Sequence, residues 1–161
     1  MKFNPATPPR GTVRDWLNER GNDYRSAFVF PETGETLTWA ELKSHAEQVA
    51  GDLTAQGVAK GESVIVMHPN GLEGIRALFA VLYGGFRVTM LNLAAGPDAL
   101  AYAIKHSKAR LAFVHDDQIT TFDKVRPDAL ELYRPSDEAV PLHDITTDDD
   151  ALLMYWAKLL L

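Results

Sequence analysis

Hydrophobic positions along this chain alternate between two rhythms, a helical repeat of every three or four residues and short uninterrupted apolar runs. Residues 27–30 and 36–38 are β-prone and are separated by Pro31, Glu32, Thr33 and Gly34, which predicts a hairpin. Thr38 can cap the amides that follow it while Glu41 reaches back, and Leu37 and Leu42 flank them as a hydrophobic staple, so a helix is predicted to start at Thr38. Its positions Leu42, Ala46, Val49 and Leu53 share one face, and Gly57 can adopt the left-handed conformation that ends it. Residues 63–67 (Ser-Val-Ile-Val-Met) have no polar alternation, the pattern of a parallel strand covered on both faces. Residues 72–83 carry only Glu73 and Arg76 as charges and stop at Gly84 and Gly85, which predicts a largely buried helix. Residues 86–91 read as a strand. Pro97 opens a helix with Leu100, Ala103, Ile104 and Ser107 along one side, and residues 111–114 supply the next strand.

Strand, helix, strand, helix, strand is a βαβαβ unit, whose crossovers favour parallel strands joined right-handedly. The predicted class is α/β, a parallel sheet with helices on both faces. Beyond Asp116 the pattern weakens: residues 119–125 suggest a short helix, and Pro127, Pro135 and Pro141 interrupt the remainder. Asp148, Asp149 and Asp150 read as a solvated acidic patch, and little structure is expected around them.

The length of 161 residues and the apolar fraction of 46% suffice for one domain with its own core. A net charge of -6 with no basic patch argues against nucleic acid. The chain has no cysteine, so it has neither disulfides nor thiolate metal sites, which suits a cytoplasmic location. Residues 1–11 read as a flexible leader without the apolar core of a secretory signal. The apolar carboxyl end, residues 151–161, is shorter than the roughly 20 residues of a membrane span.

Few residues suggest chemistry on their own. The turn after the first core strand, Met67-His68-Pro69-Asn70-Gly71, loses an amide donor at Pro69 and does not fit a dinucleotide fingerprint; it reads as a strand-to-helix turn capped by Asn70. His45, His68, His106, His115 and His143 lack the spacing of a zinc site. His115, Asp116 and Asp117 fall at a strand's carboxyl end, where ligands often bind, but ordinary loop chemistry accounts for them. No Gly-x-Ser-x-Gly elbow is present. Trp16, Trp39 and Trp156 are scattered, and Tyr83 and Phe86 read as core. No catalytic, cofactor-binding or metal residue is assigned.

Residues 37–42 (Leu-Thr-Trp-Ala-Glu-Leu), then 61–70 and 77–85, followed by 91–93, 98–104 and 107–111, resemble in order and spacing the opening of adenylate-forming (AMP-binding) enzymes of the acyl-CoA synthetase type. The similarity covers residues 12–155, loosely over 123–144, and marks an incomplete amino-terminal α/β subdomain, with 156–161 as a non-family apolar tail. It implies a ligase of fatty acid metabolism in which a carboxylate attacks ATP to give an acyl-adenylate and a thiol then displaces AMP. ATP, Mg and coenzyme A are implied for the complete enzyme and none for this chain. In the family a Ser/Thr/Gly-rich loop ending in Lys would follow Tyr155, whereas here Trp156, Ala157, Lys158 and three leucines follow. The resemblance therefore implies a truncated acid:thiol ligase, inactive alone. A non-catalytic binding or interaction module reusing the fold, and a small enzyme with an unrelated site, stay open beside it. The strand at 86–91 departs from the family in Arg87, Thr89 and Met90. Leu152, Leu153, Tyr155, Trp156 and residues 159–161 concentrate apolar surface, so a homodimer or the remainder of the ligase is expected to pack there.

Overall fold

Local hydrogen bonds start the first two helices of the computed structural model, which describes residues 10–136 and 140–155. Thr12 and Asp15 cap each other reciprocally and open α1 (Val13–Glu19), an element the sequence reading did not predict. Strands β1 (Ser26–Phe30) and β2 (Glu35–Thr38) form the expected antiparallel hairpin. Thr38 and Glu41 then make the predicted reciprocal cap, amide to carboxylate at 2.9 Å and amide to hydroxyl at 3.2 Å, which opens α2 (Trp39–Ala55). Gly57 follows the helix at φ 82°.

The core unit comes next: β3 (Ser63–Met67), α3 (Leu72–Gly84), β4 (Arg87–Met90), α4 (Pro97–Ser107), β5 (Leu111–Val114), a 3-10 turn (Asp116–Gln118) and α5 (Ile119–Asp123). Strand β3 lies between β5 and β4 and is parallel to both, with Val64 opposite Val88 on one side and Leu111 on the other. Because β3 is covered on both faces, all five of its residues are buried. Val64 and Val66 pack with Val49, Leu53, Ala77, Ala80 and Phe86 from the α2 and α3 side. Ile65 and Met67 pack with Leu100, Ile104 and Phe122 from the α4 and α5 side. A third cluster, built on Leu17, Leu37, Leu42, Ala46 and Tyr83, seats α1 and the hairpin against α2 and α3.

Three expectations are corrected. The region beyond Asp123 is more ordered than its prolines suggest, since β6 (Glu131–Leu132) joins β5 and β7 (Leu152–Met154) joins β4, both parallel, giving the order β6-β5-β3-β4-β7. Strands this short, paired through distant connections, leave no periodicity in the sequence. The acidic run is only partly a solvated patch: Asp149 contacts Lys60 at 2.9 Å and accepts from the Thr146 amide at 2.7 Å, and Asp150 lies 3.9 Å from Arg87. The amide of Thr146 and then Lys60 pull the Asp149 carboxyl below its ordinary pKa. Finally, Gly71 rather than Asn70 caps α3, with no side-chain hydrogen bond.

Long-range polar ties hold β7 beside β4. Arg14 donates to the carbonyls of Tyr83 at 2.7 Å and His143 at 2.8 Å, and the His143 Nε2 lies 3.1 Å from the Val58 carbonyl, to which it donates. The polar residues of β4 are accommodated inside the sheet, where Arg87 Nε donates to Ser63 Oγ at 2.9 Å. The apolar tail from Trp156 onward and the first nine residues of the leader lie outside the described residues.

Candidate functional site

Adjacent strands β3 and β5 send their next helices to opposite faces of the sheet, α3 to one and α5 to the other. Such divergence opens a crevice beyond the carboxyl ends of the strands, where open α/β sheets bind ligands. The residues directly after these strands are His68 and His115, and their rings meet edge to face with centroids 5.6 Å apart. The Asp117 amide donates to His115 Nδ1 at 3.3 Å, so the imidazole closes its own turn while Asp116 and Asp117 face solvent. The other histidines are scattered: His106 contacts the Tyr155 hydroxyl at 3.0 Å, His143 anchors the segment before β7, and His45 sits on α2.

His68 borders two clefts. One, of about 480 Å3, lies between α2, α3 and the β5–β6 side and includes His45, Arg76, Phe113 and Tyr133. The other, of about 520 Å3, lies beneath the hairpin and includes Phe28, Phe30, Asn70 and Met90. Burial, and next the neighbouring His115, push the His68 pKa below its ordinary value; burial, and next Arg76, do the same to His45. Arg76 Nη1 donates to Glu73 Oε1 at 2.8 Å, whereas Arg76 Nε and His45 Nδ1 are buried without a partner among the described residues.

The crevice is of mixed charge, with Arg76, His45 and His68 beside Glu73 and Asp116. Pro69 removes a donor from the β3–α3 turn, and the nearest acidic groups, Glu73 and Asp116, oppose a polyanion. Among the described residues no three His, Asp or Glu side chains gather as metal ligands. The sequence reading assigned none of His45, Arg76 and His68 to a site, because the cleft is assembled from segments far apart in the chain. One signal was present: His45 lies three residues after Leu42 and four before Val49, on the buried stripe of α2, where a polar side chain needs a reason.

Also among the described residues, no helix is long and apolar enough to cross a membrane. Comparison with known proteins identifies the scaffold. The sequence pattern of the AMP-binding enzyme family matches residues 15–157. Sulfoacetate–CoA ligase of Cupriavidus necator is 31% identical over 144 residues, covering 80% of this chain and 28% of the relative. The N-terminal domain of the Mycobacterium tuberculosis protein FACL13, solved with an inhibitor, superposes with a TM-score of 0.79 at 20% identity, over 92% of this chain and 42% of that one. A fatty acyl-adenylate ligase of L. pneumophila, solved with acyl adenylate and pyrophosphate, gives a TM-score of 0.74 at 23% identity, over 88% of this chain and 27% of that one. This chain spans less than a third of the length of the first curated relatives it matches, 15% of an acyl-CoA ligase of Aspergillus fumigatus and 28% of the sulfoacetate enzyme. The match over residues 15–157 places the chain in the AMP-binding enzyme family.

Proposed function

We propose that this chain provides the amino-terminal part of the scaffold of an ATP-dependent acid:thiol ligase and that the 161 residues by themselves form no acyl-adenylate. What supports this reading is the extent of the match: the family pattern covers residues 15–157 and the chain carries a parallel sheet, yet it spans only 28% of the length of the sulfoacetate enzyme. In the complete enzyme a carboxylate would attack ATP, pyrophosphate would leave, and coenzyme A would displace AMP, with magnesium, ATP and coenzyme A held by segments beyond those described. The test is pyrophosphate exchange into ATP with a panel of carboxylic acids, together with calorimetry of ATP binding. No exchange and no micromolar affinity are expected; either one would refute the reading.

The edge strand β7 supports a reading of partners. Leu152 and Met154 are 49% and 54% exposed, and within the described residues no strand pairs with the outer edge of β7. Such an edge invites another chain. In the complete ligase the rest of the polypeptide would cover it, and in the isolated chain a second copy would. Sedimentation of the 161-residue chain is expected to give concentration-dependent dimers that weaken in a version ending at Asp150. Two equally monomeric species would remove this proposal.

A further inference from the structure

The turn between β3 and α3 carries a pair of residues whose chemistry neither the sheet nor the clefts use. Asn70 precedes Gly71, and of the asparagines in the chain this alone is followed by a glycine. Asparagine is thermolabile because the next backbone nitrogen can attack its side-chain carbonyl carbon and close a succinimide ring. A glycine, having no Cβ, lets that nitrogen approach. Both reacting groups are unengaged in this turn. Asn70 is exposed in a bend, and among the described residues its side-chain amide makes no hydrogen bond. The Gly71 nitrogen likewise donates to no acceptor among the described residues, and nothing lies within 4 Å of the place where a Cβ would stand. The other described asparagines are held. Asn18 Oδ1 accepts from the Tyr83 hydroxyl at 2.7 Å, and Asn92 Oδ1 accepts from the Ala94 amide at 2.9 Å. Asn22 is exposed, but the nitrogen that would attack it, that of Asp23, donates to the Arg20 carbonyl at 2.9 Å.

We propose that Asn70 is a site of self-modification, where the folded chain loses ammonia through a succinimide and becomes aspartate or isoaspartate. The Gly71 nitrogen, its proton removed by hydroxide, attacks Asn70 Cγ. A new C–N bond forms, and the side-chain nitrogen departs as ammonia. Water then opens the ring at either of its carbonyls. Attack at Cγ breaks the new bond and gives aspartate. Attack at the main-chain carbonyl breaks the original peptide bond and gives isoaspartate, whose main chain runs through the former side chain. By either route the net change is one water in and one ammonia out, with nothing oxidised or reduced. The position gives the product its consequence. Asn70 lines the cleft of about 520 Å3 beneath the hairpin, together with Glu32, Glu35 and His68. A new carboxylate makes that cleft more acidic, and isoaspartate also adds a main-chain carbon to the turn between His68 and α3. The proposal stands apart from the ligase reading, since it needs only this turn.

The experiment incubates the 161-residue chain at neutral and at mildly alkaline pH, folded and in guanidinium chloride. The samples are digested at acidic pH, which suppresses the reaction during handling. Mass spectrometry with electron-transfer fragmentation then separates aspartate from isoaspartate. Peptides holding Asn70 are expected to gain the mass difference of O over NH, faster at alkaline pH. They should do so at least about tenfold faster than peptides holding Asn18, Asn22 or Asn92, a factor that a modest difference in barrier supplies. Reaction at Asn70 in the folded chain should stay within about tenfold of that in the unfolded chain. Asn70→Gln keeps a side-chain amide but needs a larger ring, and it should abolish ammonia loss at this position. The comparison among asparagines of the parent chain decides the matter even should that variant not fold. The proposal is overturned if Asn70 stays intact in the folded chain, if no isoaspartate forms, if Asn70 reacts no faster than the other asparagines, or if Asn70→Gln loses ammonia there at the parent rate.

Discussion

Replacing Gly85 with alanine is expected to destabilise the chain by about 2–5 kcal/mol, through a left-handed backbone and an overpacked contact acting together. Gly85 closes α3 with φ 79° and ψ 25°, a conformation that costs a side-chain-bearing residue about 1–2 kcal/mol. A Cβ at this position would also lie 2.1 Å from Ile145 Cγ2, far inside van der Waals contact. Ile145 belongs to the segment between His143 and Asp149 whose hydrogen bonds hold β7 against β4, so the clash would push on the edge of the sheet. Urea denaturation should report the loss as a lower midpoint at unchanged slope. Combining Gly85→Ala with Ile145→Ala should cost less than the sum of the two single changes, because the second relieves the contact made by the first. Additive losses would show that the backbone term alone operates.

The elements most legible in the sequence were those whose causes are local. The Thr38–Glu41 cap, the unbroken apolar run of β3, Pro97 at the start of α4 and the glycines at the end of α3 all act within a few residues, and each appears as expected. Helix α1 was missed although its Thr12–Asp15 cap is equally local, because it has only one buried side chain, Leu17, and so no apolar stripe. Strands β6 and β7 were missed for a different reason. Both are made by partners distant in sequence, β6 by β5 and β7 by β4, and two or three residues cannot display a period. The family likeness was carried by order and spacing across several weak segments, and the family match at residues 15–157 agrees with it. The cleft was the least legible part, because its polar groups come from α2, α3 and the ends of two strands. Only the polar residues on the buried stripe of α2, His45 and Asp52, hinted that something beyond α3 packs there.

Asp52 makes that hint testable. Tyr133→Phe is expected to cost about 1.5–3 kcal/mol or more, because it orphans a buried group that can carry charge. Asp52 is 2% exposed, and among the described residues the Tyr133 hydroxyl donates to its carboxylate at 2.7 Å. Burial, then the hydrogen bond and charge of Asp52, hold the Tyr133 phenol well above its ordinary pKa, so it stays protonated as the donor. The ring itself stays packed on Phe113, with centroids 4.4 Å apart, and phenylalanine would keep that contact. The loss therefore isolates the hydroxyl. A double-mutant cycle with Asp52→Leu separates pairing from packing, since replacing both polar partners by apolar groups removes the orphaned carboxylate along with the bond. Tyr133→Phe should cost far less in the Asp52→Leu background than in the parent chain. An equal cost in both backgrounds would mean that the hydroxyl acts elsewhere, and that the segment after β6 is not fastened to α2 by this bond.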